Sequence, residues 1–146
     1  MHFEGEFSVK APRAKVFAFL TDPKRISGCM PDLQSLEVKS PDDFTAVIKA
    51  GVSFIKGDFK MHFTTTEKRP SEHAVLLAHG SGMGSTIDLK STLDLAEEGA
   101  RTKMKWVAEA AVGGRIASVG QRLLSGQAEK TIKQLFGCLE AQLERA

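Results

Sequence analysis

The chain has 146 residues, 42% apolar and 26% charged, and its twenty basic and eighteen acidic side chains leave a net charge of +2. A chain of this length forms one core that buries about 70% of the surface its unfolded form exposes, so folding requires neither a disulfide nor a metal. The near balance of charge excludes a strong nucleic-acid footprint, and the longest apolar run, residues 74–78, falls far short of the ~20 residues a membrane-spanning helix needs.

Taken in order, Phe3, Gly5, Phe7 and Val9 alternate with His2, Glu4, Glu6 and Ser8, the period-two pattern of a half-buried strand. Pro12 then opens a short helix carrying Val16, Phe17 and Leu20, and Asp22-Pro23 opens a second through Ile26 to Met30, stopped by Pro31. Strands are predicted over 33–38, 44–50, 54–66, 73–79, 85–95 and 102–112, joined by short Gly, Pro, Asp or Glu turns that favour an antiparallel meander. The run 80–85, Gly-Ser-Gly-Met-Gly-Ser, lies between two strands; it reads as a glycine-rich turn or strand distortion, since a phosphate loop has to lead into a helix.

From 115 to about 144 the apolar positions Ile116, Val119, Leu123, Leu124, Ala128, Ile132, Leu135, Leu139 and Leu143 recur at spacings of three and four, which predicts one long amphipathic helix. Arg122, Glu129, Lys130, Lys133 and Glu140 gather on its opposite arc. Strand, two short helices, six strands and a long terminal helix make an α+β helix-grip fold: a curved antiparallel sheet of about seven strands wrapped around one helix, as a single domain over 1–146.

Such a sheet encloses space against its helix, and a mostly apolar pocket there is the default ligand site. Phe59, Met61 and Phe63 project to one face, Met104 and Trp106 form another inward row, and Met83 sits at the glycine turn. These side chains either line a cavity for an apolar ligand or fill the core. On the helix, Gly120 falls in the apolar arc beside Leu123, where a mid-helix glycine costs about 1 kcal/mol against alanine; a close helix-to-sheet contact or a bound ligand would account for it. Gln127 and Thr131 lie in or beside that arc, and Ser91 faces inward; each offers hydrogen bonds to a polar head or to solvent.

The four histidines, His2, His62, His73 and His79, show no metal-ligand spacing, and no cofactor is implied. Asp88 and Asp94 fall on the polar strand face, and the chain has no tyrosine, so the cavity is expected to lack a proton-transfer pair. Cys29 and Cys138 read as free thiols in a reducing, cytoplasmic setting, because sparse cysteines without a Cys-x-x-Cys pair suggest no disulfide framework.

The segment Val112-Gly-Gly-Arg-Ile-Ala-Ser-Val-Gly-Gln-Arg-Leu123, the glycine turn at 80–85, Lys56-Gly-Asp-Phe59, Asp22-Pro23, Cys29-Met-Pro31 and Leu36-Glu37 together resemble the carbon monoxide dehydrogenase G-subunit family. The resemblance covers essentially the whole chain. It implies the START-like, Bet v 1-like superfamily, whose members hold lipids, sterols and polyketides between sheet and helix, and an accessory role beside molybdenum-containing carbon monoxide dehydrogenases in membrane recruitment and quinone handling. Arg122 belongs to the resembling motif but lies on the polar arc, which assigns it to a partner surface or a structural ion pair.

The expectation is a non-catalytic binding protein with no membrane span. It takes a hydrophobic small molecule, such as an isoprenoid quinone or lipid, and docks to such a dehydrogenase, which would place it peripherally at the inner face of the membrane. Phe59, Met61, Phe63, Met83, Met104, Trp106, Gly120, Leu123 and Gln127 are the expected ligand contacts. The rivals are a START-like cyclase, dehydratase or hydrolase, and an interaction module with a filled core.

Overall fold

The computed structural model describes residues 1–30, 32–52 and 55–144. The expected roles of Pro31 as helix stop and Phe54 as strand start lie outside those residues. Strand β1 (His2–Val9) leads into helices α1 (Arg13–Leu20) and α2 (Pro23–Ile26) and a 3₁₀ segment, Ser27–Cys29. Strands β2 (Leu33–Ser40), β3 (Asp43–Val52), β4 (Ile55–Arg69), β5 (His73–Gly82), β6 (Ser85–Glu98) and β7 (Arg101–Gly114) follow, then a second 3₁₀ segment, Arg115–Val119, and helix α3 (Gln121–Glu144).

All seven strands form one antiparallel sheet in the order β1-β7-β6-β5-β4-β3-β2. The meander is local throughout, and β1 closes it by pairing with the last strand, Gly5 opposite Trp106. The glycine run becomes the tight β5–β6 turn: Gly82 pairs with Ser85, and Met83 and Gly84 between them both have positive φ, 53° and 70°, as two-residue hairpins favour. The helix-grip expectation therefore holds, with α3 lying across the concave face.

Two apolar clusters seat that helix. One joins Val9, Ala11, Val16, Phe17, Phe19 and Met104 to Leu139 and Leu143 on the last turns of α3; the other joins Phe59 and Ile116 to Leu124 near its start. At the start of α2, Asp22 Oδ1 accepts from the Lys24 N–H at 3.0 Å, ahead of Pro23 in the first helical turn.

The long helix departs from the sequence expectation at its start. It begins at Gln121, because Gly120 adopts φ 94° and breaks it from the 3₁₀ segment before it. Open space surrounds the position a Gly120 Cβ would take, so backbone conformation, not a close contact, explains this glycine. The corner is anchored by Ser85, buried at 2% exposure, whose Oγ accepts from the Ile116 N–H at 2.9 Å, and by the Arg115 N–H donating to the Gly84 carbonyl at 3.0 Å.

The cysteines are not free. Cys29 and Cys138 form a disulfide across 109 residues of sequence, with Cα atoms 5.6 Å apart. The reading from spacing failed because the 3₁₀ segment at Ser27–Cys29 packs directly on α3, a proximity no local pattern carries. The reducing compartment inferred from free thiols loses its support with them. Among the described residues no helix is long and apolar enough to cross a membrane.

Candidate functional site

Alternation on β6 and β7 turns Ile87, Leu89, Ser91 and Leu93, and Trp106, Ala108, Ala110 and Val112, toward α3, while Phe3 does the same on β1. Ile132, Leu135 and Phe136 face them from the helix across a cavity of about 370 Å³, within the range of ligand pockets. Met1, Ile116 and Leu124 in its lining belong with the smaller apolar cluster, and Leu93, Trp106 and Phe136 with the larger one. The cavity exists where the facing side chains are short: Ala108 and Ala110 on the sheet meet Ala128 on the helix.

Trp106 and Phe136 form the aromatic wall, with ring centroids 5.5 Å apart edge to face, and Phe136 stacks on Phe7 at 4.7 Å. The Trp106 Nε1 is a buried donor without a partner among the described residues. Only Ser91, Gln127 and Thr131 bring other polar side chains to the lining, and the Thr131 hydroxyl donates to the Gln127 carbonyl at 2.9 Å. No Asp, Glu, His, Lys or Arg lines it among the described residues, and the lining as a whole suits an apolar molecule.

Of the nine expected ligand contacts, Trp106 and Gln127 line this cavity. Phe59 and Met83 belong to the apolar cluster under the β7–α3 corner, Met104 is 2% exposed in the main core, and Phe63 stacks on Phe44 at 4.7 Å. Met61 lies over Gly80, filling the space a Cβ would take. Leu123 points outward, 53% exposed, because α3 starts at Gln121 and presents Leu124 inward instead. Gly120 sits at the break before the helix. Sequence reasoning nominated bulky residues and missed Ala108, Ala110 and Ala128; bulky side chains fill volume, so a void falls beside alanines.

The outer face of the sheet carries the titratable groups. A shallow depression of about 500 Å³ there is lined by His62, His79, Asp88, Lys90 and Glu109. Its histidines are engaged: His62 Nε2 lies 2.7 Å from Asp43 and His79 Nδ1 2.6 Å from Asp88. His2 meets Glu109 and Glu4, which raise its pKa in that order of effect. His73 bridges Asp94 at 2.6 Å and Glu67 at 2.9 Å, and those hydrogen bonds, Asp94 first, raise its pKa as well. Lys103 is raised by its partner Glu6. No group of three or more His, Cys, Asp or Glu among the described residues is placed to hold a metal. Arg122 is exposed on α3.

A "conserved protein" from Geobacillus kaustophilus superposes with a TM-score of 0.92 at 27% identity, covering 99% of this chain and 96% of that one. A START superfamily protein from Mycobacterium smegmatis aligns at TM-score 0.77 and 10% identity over 99% and 97% of the two chains, and a Thermus thermophilus protein at 0.73 and 14% over 99% and 98%. At those lower identities the likeness shows the fold alone. None of the curated proteins compared matches the chain. The model of the carbon monoxide dehydrogenase G-subunit (CoxG) family matches residues 5–144, nearly the full length of a START-like fold with an apolar cavity under its helix, and the chain belongs to that family.

Proposed function

We propose that this protein is a non-catalytic accessory protein that carries an isoprenoid quinone or similar lipid in the cavity beneath α3. The observation that supports this most is the lining: a space of about 370 Å³ walled by apolar side chains, with Ser91, Gln127 and Thr131 as the polar exceptions besides the Trp106 N–H. A quinone ring presents carbonyl acceptors and a hydrocarbon tail. The carboxamide of Gln127 and the hydroxyl of Ser91 suit the former, and Leu89, Ile132 and Leu135 suit the latter.

Family membership supports a molybdenum-containing dehydrogenase of the carbon monoxide dehydrogenase type as the partner. The exposed arc of α3, with Arg122, Glu129, Lys130, Lys133 and Glu140, is the surface we assign to it. In this reading the protein works at the cytoplasmic face of the membrane, brought there by its partner. The rival START-like enzyme has little to work with, since a hydroxyl and a carboxamide are poor proton carriers.

Trp106 is the chain's single tryptophan and stands in the cavity wall, so its fluorescence reports occupancy directly. Titration with a short-chain isoprenoid naphthoquinone is expected to quench it saturably at one-to-one stoichiometry. Quenching that stays linear with quinone concentration, as random collisions give, would remove the ligand reading.

A further inference from the structure

Cys29 and Cys138 are the only cysteines in the chain, and their bond joins the 3₁₀ segment after α2 to the middle of α3's C-terminal half. The cavity's helical wall runs mostly along the first half of α3, from Leu124 to Ile132, and reaches into the half that holds Cys138. Leu135 and Phe136 line the space, and Cys138 follows within one helical turn. No strand pairs with a helix, so α3 rests on the sheet through side chains, chiefly Leu124, Leu139 and Leu143. Its C-terminal end is also tied by two hydrogen bonds: Lys15 Nζ donating to the Leu143 carbonyl at 2.9 Å and the Lys10 N–H donating to Glu144 Oε2 at 3.2 Å. The disulfide is the one covalent link across this packing.

We infer that the Cys29–Cys138 bond is a thiol–disulfide exchange site that sets how fast the cavity releases its ligand; the inference rests on the cavity being a ligand site. The co-reactant is a dithiol reductant. Cys29 is 7% exposed and Cys138 half-buried, so the more accessible sulfur is that of Cys138. A thiolate of the dithiol attacks the Cys138 Sγ, the sulfur–sulfur bond breaks, and Cys29 leaves as a thiolate and takes up a proton. The second thiol of the reductant then attacks the mixed disulfide and releases Cys138. Two electrons pass to the protein, which ends with two thiols, while the dithiol closes into its own disulfide; a disulfide oxidant reverses the sequence. With the bond open, the C-terminal half of α3 is held by noncovalent contacts alone, and its lifting opens the cavity beside Leu135 and Phe136.

The test compares the oxidised protein, the same protein reduced with dithiothreitol, and the C29S/C138S variant, using the uncharged dye N-phenylnaphthylamine. Dye dissociation is expected to be about fivefold or more faster in the reduced and double-serine forms, with faster amide exchange confined to α3. Val75→Ala serves as the control for general destabilisation, because Val75 is buried but belongs to neither apolar cluster and does not line the cavity; its dissociation rate should match the oxidised protein.

Equal dye release in oxidised and reduced protein would overturn the inference and leave ligand binding intact. Two alkylatable thiols in protein held under a disulfide oxidant would overturn it as well. If neither form binds the dye, the ligand reading fails, and unchanged α3 exchange on reduction would then independently show that the bond restrains nothing.

Discussion

Trp106 lies flat against Gly5, its cross-strand partner: a Cβ at Gly5 would stand 2.9 Å from Cζ2, 3.1 Å from Cε2 and 3.2 Å from Nε1 of the indole. The glycine thus sets the depth of the cavity's aromatic wall. In Gly5→Ala the ring has to shift from this position, at about 1–3 kcal/mol in stability. Chemical denaturation should register that cost, and quinone or dye affinity should fall with it; unchanged binding would mean that the ring position does not shape the site.

Two neighbouring glycines rank differently by what surrounds them. A Cβ at Gly82 would meet the Asp58 backbone carbonyl at 2.3 Å, whereas at Gly80 it would meet the thioether sulfur of Met61 at 2.1 Å. Backbone in a paired strand cannot yield, and a thioether end can. Gly82→Ala is expected to be the more damaging, by about 1 kcal/mol or more in urea midpoint analysis, despite the slightly longer distance.

Filling the cavity should separate binding from folding. Ala128 faces the void from α3, so Ala128→Phe occupies ligand volume without displacing packed core. Quinone affinity is expected to drop about tenfold or more while thermal stability holds or rises. Undiminished affinity would place the ligand elsewhere on the molecule.

Removing the disulfide through C29S/C138S frees a loop whose ends are 109 residues apart. The loss expected from chain entropy is about 2–5 kcal/mol, or roughly 5–15 °C in melting temperature. Calorimetry with and without reductant checks this, and reductant should leave the double variant unaffected.

His73 gives the chain a pH signature. Hydrogen bonds to Asp94 and Glu67 raise its folded-state pKa. Their stabilisation is fully present below the unfolded value of about 6.5 and is lost as pH rises through the raised folded value. The stability advantage over His73→Gln should therefore shrink between about pH 6 and the mildly alkaline range. An advantage that grew with pH would contradict the assigned charge state.

Much of the fold was legible in the residues because one-sided burial imposes a period. Alternation in β6 and β7 named their inward faces, and the three-and-four spacing through Leu135, Leu139 and Leu143 named the packed face of α3. The lining of the candidate cavity was legible only in part. Trp106 and Gln127 were placed by these periods, while Met104 and Phe59 have the same signature and lie in solid core. A period tells which way a side chain points, not whether anything already occupies the space it points to.

By itself, the sequence determined the antiparallel meander, the two early helices, the terminal amphipathic helix and the uncharged character of the interior, all consequences of hydrophobic periodicity and turn chemistry within a few residues. Tertiary structure alone decided three things: that α3 starts after Gly120, that Cys29 meets Cys138, and that the void opens between Ala108, Ala110 and Ala128. The second and third depend on how far the helix stands from the sheet and at what angle it crosses. Those quantities come from the summed volumes of side chains distant in sequence, which no local pattern records.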